Sequence, residues 1–212
     1  MKKAVIIIAA ILVLDQILKF WIKTSFYLGE NRAVFGQWFF LHFTENEGMA
    51  FGMKLGGGNG KLLLSLFRIV AVAIIGWWLY KVTRKGANTL LIVCISLILA
   101  GALGNIIDSA FYGLIFSESS YMQTAALFPP GGGYGTFLHG KVVDMLYFPI
   151  IQTHYPSWFP WVGGEEFNFF EPVFNIADSS ITTGVLMLLV FQKKVFPPLK
   201  EKQSASPEIT QN

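Results

Sequence analysis

Four long apolar runs dominate the chain and set its class before any motif is considered. The first extends from Ala4 to about Ile22. The second runs from Leu62 to Tyr80 with Arg68 as its one charge, and the third from about Thr89 to Ile107. The fourth covers 177–193, its most apolar part, Ile181 to Phe191, being lengthened backwards through Asp178. Each reaches about 17–20 residues, enough to cross a hydrocarbon core of about 30 Å at about 1.5 Å per residue. Only 14% of the 212 residues are charged, against about 25% in soluble domains, so a water-covered globule of this size is excluded.

Lys2 and Lys3 ahead of the first run resemble the start of a signal peptide. No small-x-small cleavage site follows, however, and the run continues through Asp15, Gln16 and Lys19 to Trp21, so it reads as a retained helix with an aromatic at the interface. Four spans place both termini on one side. Lys2 and Lys3, then Lys81, Arg84 and Lys85, then Lys193, Lys194, Lys200 and Lys202 all fall there, which makes it the cytoplasmic face. The loops 23–61 and 108–176 then face outward. The expected fold is therefore all-α and integral to the membrane: a four-helix domain over 1–196, a small β-containing amphipathic outer subdomain, and a disordered cytoplasmic tail over 197–212.

The aromatic, partly alternating stretch Val34 to Phe51 supplies that subdomain with short strands or an interfacial patch. Leu55 to Gly60 reads as a flexible turn into the second span. Pro129 to Gly135 and the Trp/Pro stretch Tyr155 to Trp161 look like mobile insertions. The net charge of +3 is too small and too scattered for nucleic acid. The single cysteine, Cys94, lies inside an apolar run and excludes an internal disulfide or a multi-cysteine metal centre.

All four aspartates, Asp15, Asp108, Asp144 and Asp178, lie near outer helix ends or in the loop between them. An ionised carboxylate in hydrocarbon costs at least about 2.5–3.5 kcal/mol, so each must be paired, wet or functional. Asp15 precedes Lys19 by four residues, the spacing of a helical ion pair. Asp108 follows Gly104 and Asn105, where it can brace the following loop. Asp144 sits between apolar neighbours in Val142-Val143-Asp144-Met145, where a charge serves no solubility purpose. Asp178 falls at a helix start, a position at which a lone Asp also serves as a cap.

Asp144 on a loop and Asp178 on a helix start together form a candidate pair, since close like charges share a proton and can activate water against a peptide carbonyl. Other hydrolytic signatures are missing from the sequence: no Gly-x-Ser-x-Gly, no His-Glu-x-x-His, no Gly-rich phosphate loop. His42, His139 and His154 are scattered and read as hydrogen-bonding residues, so no metal is expected. Two other classes stay open on these residues alone, a small transporter using intramembrane aspartates and a noncatalytic assembly factor.

Five segments in order, LDQILK ending at Lys19, TENEGMAFG around Asn46 and Gly48, AGALGNIID ending at Asp108, GKVVDML around Asp144 and FNIADSSI around Asp178, resemble the signal peptidase II family of bacterial membrane aspartic proteases. The resemblance implies Asp144 and Asp178 as the catalytic residues. It implies that Asn46, Gly48, Asn105 and Asn175 hold substrate backbone or orient that pair, with Asp15 and Asp108 in support. It further implies diacylglyceryl-modified prolipoproteins as substrates within the membrane lipids, cleavage just before the lipidated cysteine, no cofactor, inhibition by globomycin-type cyclic peptides, and the bacterial cytoplasmic membrane as the location. Two departures stand out. Ser109 occupies a position where the family commonly has Arg, for which Lys141 is a possible substitute, and the stretches from Asp108 to Asp144 and on to Asp178 are longer than usual. The extra outer loops are expected to shape a lid or select substrates, or else to be lineage-specific decoration.

Overall fold

The computed structural model describes residues 1–47, 58–169 and 172–196. The tail 197–212 and Gly48 lie outside them. Helix α1 covers Lys2–Ser25, α2 Gly58–Arg84 and α3 Thr89–Ile107. A π-helical turn, Asp108–Tyr112, and a short α4, Gly113–Ile115, continue α3. Strands β1 (Asn31–Phe35) and β2 (Phe39–Asn46) fall in the first loop; β3 (Val142–Tyr147), β4 (Ile151–His154) and β5 (Glu166–Phe169) fall in the third. Helix α5 covers Ile176–Val190, and Phe191 turns the chain into α6, Gln192–Val195.

Among the described residues, three helices, α1, α2 and the α3-to-α4 rod, are long and apolar enough to cross a membrane. Their outward faces are apolar: Ile6, Leu14 and Ile17 on α1, and Leu63, Phe67, Ile74 and Trp77 on α2, are all more than half exposed. Such a surface is stable against lipid and untenable in water. Two of the expected spans fall short of the helices that carry them, whereas 89–107 coincides with α3. α1 and α2 overrun 4–22 and 62–80 at both ends, and α2 begins at Gly58, so glycines read as a flexible turn belong to its first turn. The fourth expected span, 177–193, divides between α5 and α6. With 15 residues, α5 alone is about 22 Å long, short of a hydrocarbon core.

Helix α3 stands at the centre, packed against α1, α2 and α5. Small residues permit the closest approach. A methyl group at Gly101 would lie 2.1 Å from the carbonyl oxygen of Ala177, and one at Gly104 would lie 2.8 Å from Asp15 Oδ2 and 3.1 Å from Ala177 Cβ. Gly101→Ala must therefore push away the first turn of α5. The expected cost is about 1–3 kcal/mol, read as a lowered Tm, and a variant as stable as the parent would contradict this packing.

Strands β1, β2 and β3 form an antiparallel sheet with β2 in the middle, and β2 pairs Thr44 with Asp144 of β3. Asp144 thus lies on a strand rather than on the loop expected for it. The local pattern accounts for the difference: Val142, Val143 and Met145 are β-formers or apolar, and all are buried. Strands β4 and β5 make a separate hairpin. One core, of Ile22, Phe26, Phe43, Tyr112, Phe116, Val143 and Met145, joins α1 to the sheet. A second, of Ala4, Leu79, Leu91, Ile95, Leu99 and Val195, closes the opposite end of the bundle. There the Asn88 side chain caps α3 by accepting from Leu90 N (2.8 Å) and donates to the Lys194 carbonyl (3.0 Å).

The Pro/Gly-rich stretch is packed down rather than free-standing. Gly135 N donates to Gly113 O (2.8 Å), Tyr134 N to Phe116 O (3.0 Å) and Gly140 N to Ser109 O (2.8 Å).

Candidate active site

Asp144 and Asp178 reach the same site from opposite directions, one from β3 and one from the first turn of α5. The connection is Asn175. As N-cap of α5 its side-chain oxygen accepts from Asp178 N (2.8 Å), while Asp178 Oδ2 accepts from Asn175 N (3.4 Å), a reciprocal capping box. The Asn175 amide nitrogen faces Asp144 Oδ1 (2.7 Å), Asn105 Oδ1 (3.1 Å) and the Val143 carbonyl (3.2 Å). Asn105 in turn donates to Asp178 Oδ1 at 2.8 Å, and Asn46, at the end of β2, donates to Asp144 Oδ2. Three neutral amides thus fix the two carboxylates without adding charge, since an amide both donates and accepts.

Burial is the largest influence on Asp144, which is 3% exposed, and the Asp178 charge adds to it; together they push the Asp144 carboxyl up to about 8.

Beneath the amides lies an ion cluster whose extent the sequence does not reveal. Lys19 is fully buried and pairs with both Asp15 Oδ2 (3.0 Å) and Asp108 Oδ2 (2.7 Å), while also donating to Asn105 Oδ1 (2.9 Å). Gln16 donates to Asp108 Oδ1 (2.9 Å) and accepts from the Tyr112 hydroxyl (3.1 Å). Each acid also holds a backbone amide. Asp15 Oδ1 accepts from Ala177 N (2.9 Å) and Asp108 Oδ2 from Val143 N (3.3 Å). Ala177 immediately precedes Asp178, and Val143 immediately precedes Asp144. Asp15 pairs with Lys19 as expected from their spacing, but the ion pair is one arm of a larger support.

A second pair, Lys23 with Glu45, ties α1 to β2 beside Asn46, with Ser119 accepting from Lys23 Nζ (2.9 Å). Lys23 Nζ also lies over the rings of Phe116 and Tyr134, 5.3 and 5.0 Å from their centroids. Neither partner has a local signature of the pairing: Glu45 is one Glu in an aromatic strand and Lys23 one Lys at a helix end.

Ser109 is buried and its hydroxyl donates to the Asn105 carbonyl (3.0 Å). Lys141 does not fill in for a cation there: it pairs with Glu118 (3.1 Å) and lies 4.0 Å from Glu45 Oε2. The histidines are apart in the fold. His42 is half-buried on β2, where burial lowers its imidazole below the usual range; His139 faces Thr136 Oγ1 (3.0 Å) in the packed loop; His154 is exposed on β4. Among the described residues, no three His, Cys, Asp or Glu converge as metal ligands would.

Apolar helices of membrane-crossing length, a small antiparallel sheet, and two aspartates bridged by Asn175 where helices and sheet meet define a helical membrane-type protein. The sequence pattern of the family described as Signal peptidase (SPase) II matches residues 7–193. A lipoprotein signal peptidase of Porphyromonas gingivalis is 51% identical over 99% of this chain and 91% of its own length. One of Amoebophilus asiaticus is 34% identical over 93% and 80%. A bacterial membrane enzyme solved by the in meso method at 2.3 Å resolution superposes with a TM-score of 0.62 at 26% identity, covering 96% of this chain and 94% of that one. The chain belongs to the signal peptidase II family, whose members are proteases.

Proposed function

We propose that the protein is a lipoprotein signal peptidase that works as an aspartic endopeptidase, removing the signal peptide from diacylglyceryl-modified prolipoproteins just before the lipidated cysteine. The observation that carries this reading is the pair itself. Asp144 and Asp178 are both held by Asn175, and one of them is raised far above the ordinary carboxylate range. Two such acids holding one proton can act as acid and base at once.

Asp144 is the protonated partner at neutral pH. Asp178 accepts a proton from water as the water oxygen bonds to the scissile carbonyl carbon, and Asp144 gives its proton to the carbonyl oxygen. The product of that step is a gem-diol. In the second step the C–N bond breaks, Asp178 delivers its proton to the departing amine, and Asp144 recovers one from a diol hydroxyl. No covalent intermediate forms. The neutral amides around the pair suit an extended peptide, which they can grip without a competing charge.

In the bilayer, α5, its turn and α6 together supply the fourth span, both termini lie in the cytoplasm, and the sheet and catalytic pair face outward. The clustering of Lys2, Lys3, Lys81, Arg84, Lys85, Lys193 and Lys194 at the far end of the bundle supports that orientation. The outward site meets a substrate whose signal helix and acyl chains are both confined to the membrane, and globomycin-type cyclic peptides are expected to compete for it.

The test is cleavage of a purified lipidated prolipoprotein, with the new N-terminus read by mass spectrometry. Release of a product starting at the modified cysteine is expected. Cleavage elsewhere, or none, refutes the reading. The same assay has a predicted pH profile: Asp144 must hold a proton to donate it, so kcat/KM should fall as pH rises through about 8.

A further inference from the structure

Helix α2 carries two half-buried charged side chains on its packed face, Lys61 in its first turn and Arg68 two turns further in. Its packed face runs Leu64, Ser65, Arg68, Ala71, Val72, Ile75, Gly76 and Leu79, at the three- and four-residue spacing of a helix stripe, and Arg68 lies on that stripe among small and apolar neighbours. The level at which it lies can be worked out from the helix contact. Gly76 stands against Leu99 of α3, 3.9 Å from its Cδ2 to where a Gly76 Cβ would be. The helices run antiparallel, so eight residues towards the sheet bring α2 to Arg68 and α3 to Ile107, each a rise of about 12 Å.

Arg68 therefore stands level with the junction of α3 and the π-helical turn that Asp108 begins. One turn further on, the Ser65 hydroxyl donates to the Leu138 carbonyl (3.1 Å), and Gly140 of that same loop donates to Ser109 O (2.8 Å). These contacts fix α2 against the site on its other side. The carboxylates within electrostatic reach of the guanidinium are Asp178, Asp108 and Asp144.

We infer that Arg68 is a positioning residue of the Asp144 and Asp178 pair, supplying from α2 the cation that sets the pH range over which the pair holds a single proton. The charges facing the pair from each element explain the need. α1 contributes Asp15 and Lys19, the π-helical turn Asp108, β3 Asp144 and α5 Asp178, while Glu45, Lys23, Lys61 and Lys141 lie towards the sheet. With Asp144 protonated, the three carboxylates Asp15, Asp108 and Asp178 face two cations, Lys19 and Arg68, a local excess of one negative charge. Without Arg68, three carboxylates share one lysine, already paired to two of them. Loss of the cation favours proton uptake by the pair. Ser109, neutral and turned back onto α3, offers no charge to replace it.

This inference rests on the proteolytic reading above. The experiment is the pH dependence of kcat/KM for wild type, Arg68→Gln and Arg68→Lys on a lipidated prolipoprotein. The alkaline limb of Arg68→Gln should move up by about one pH unit, and that of Arg68→Lys should stay with wild type. Should Arg68→Gln fail to fold, Arg68→Cys in a Cys94→Ala background serves instead, its limb displaced when the thiol is free and restored after attachment of an aminoethyl group by disulfide exchange. A folded neutral variant with an unmoved limb, or a Lys variant displaced as far as the Gln variant, overturns the inference. A wild type that fails to cleave overturns the proteolytic reading along with it.

Discussion

Asp144→Asn and Asp178→Asn are each expected to lower kcat/KM by about 10²–10⁴-fold, and the double variant to be no worse than either alone. Asn keeps the shape of the carboxylate and loses its proton exchange, so both halves of the acid–base cycle stop together. What separates this from mere disruption is stability. A carboxyl raised to about 8 in the fold binds a proton that the unfolded chain has already released above about pH 4. The penalty is absent below the unfolded value, grows by about 1.4 kcal/mol per pH unit in between, and is complete above the folded one.

At pH 8 the penalty is a few kcal/mol, and Asp144→Asn removes it, with the Asn46 amide turning to present its oxygen. The inactive variant should therefore melt several degrees above wild type at pH 8 and close to it at pH 5. Thermal unfolding at the two pH values decides. An inactive variant that is less stable at pH 8 would mean that Asp144 serves the fold rather than the reaction.

Lys19→Met is expected to have the largest effect on stability, about 3–5 kcal/mol, read as a Tm lower by about 10 °C. Methionine fills much of the space of the lysine stem but leaves Asp15 and Asp108 buried without their common cation. Breaking one partner of a buried pair costs far more than the pair contributes. Adding Asp108→Asn to Lys19→Met removes one of the two stranded charges and should recover part of the loss. A single variant within 2 °C (on the order of 1 kcal/mol) of the parent would show that water reaches these acids.

The apolar runs were legible because hydrophobic length is a local signal, and a charge among apolar neighbours marked the burial of Asp144. Asp144 illustrates the limit. Its apolar neighbours mark burial, yet the strand that carries it is defined by pairing with β2, where Thr44 lies opposite Asp144 and Glu45 and Asn46 opposite Val143 and Val142. Lys19 was legible as a partner of Asp15 through the i,i+4 spacing. Its second bond, to Asp108, joins residues far apart in sequence and has no local signature. Arg68 looked like an interruption of a span; its three-and-four-residue spacing from Ser65 and Val72 was present in the sequence, but which face of α2 is packed depends on α3. Gly48 lies outside the described residues, so its expected part in holding substrate remains a proposal.

The two amides held by Asp15 and Asp108 bear on the order in which this protein is made. Asp15 emerges from the ribosome in the first helix, and the amide it must hold, that of Ala177, emerges 162 residues later in the last. Until α5 is inserted Asp178 is not held by Asn105 and Asn175, and Asp15 has not received its final partner. On the proposed mechanism a nascent chain is thus proteolytically inert through most of its synthesis, and the insertion of the last helix completes the support and the proposed catalytic pair in a single event.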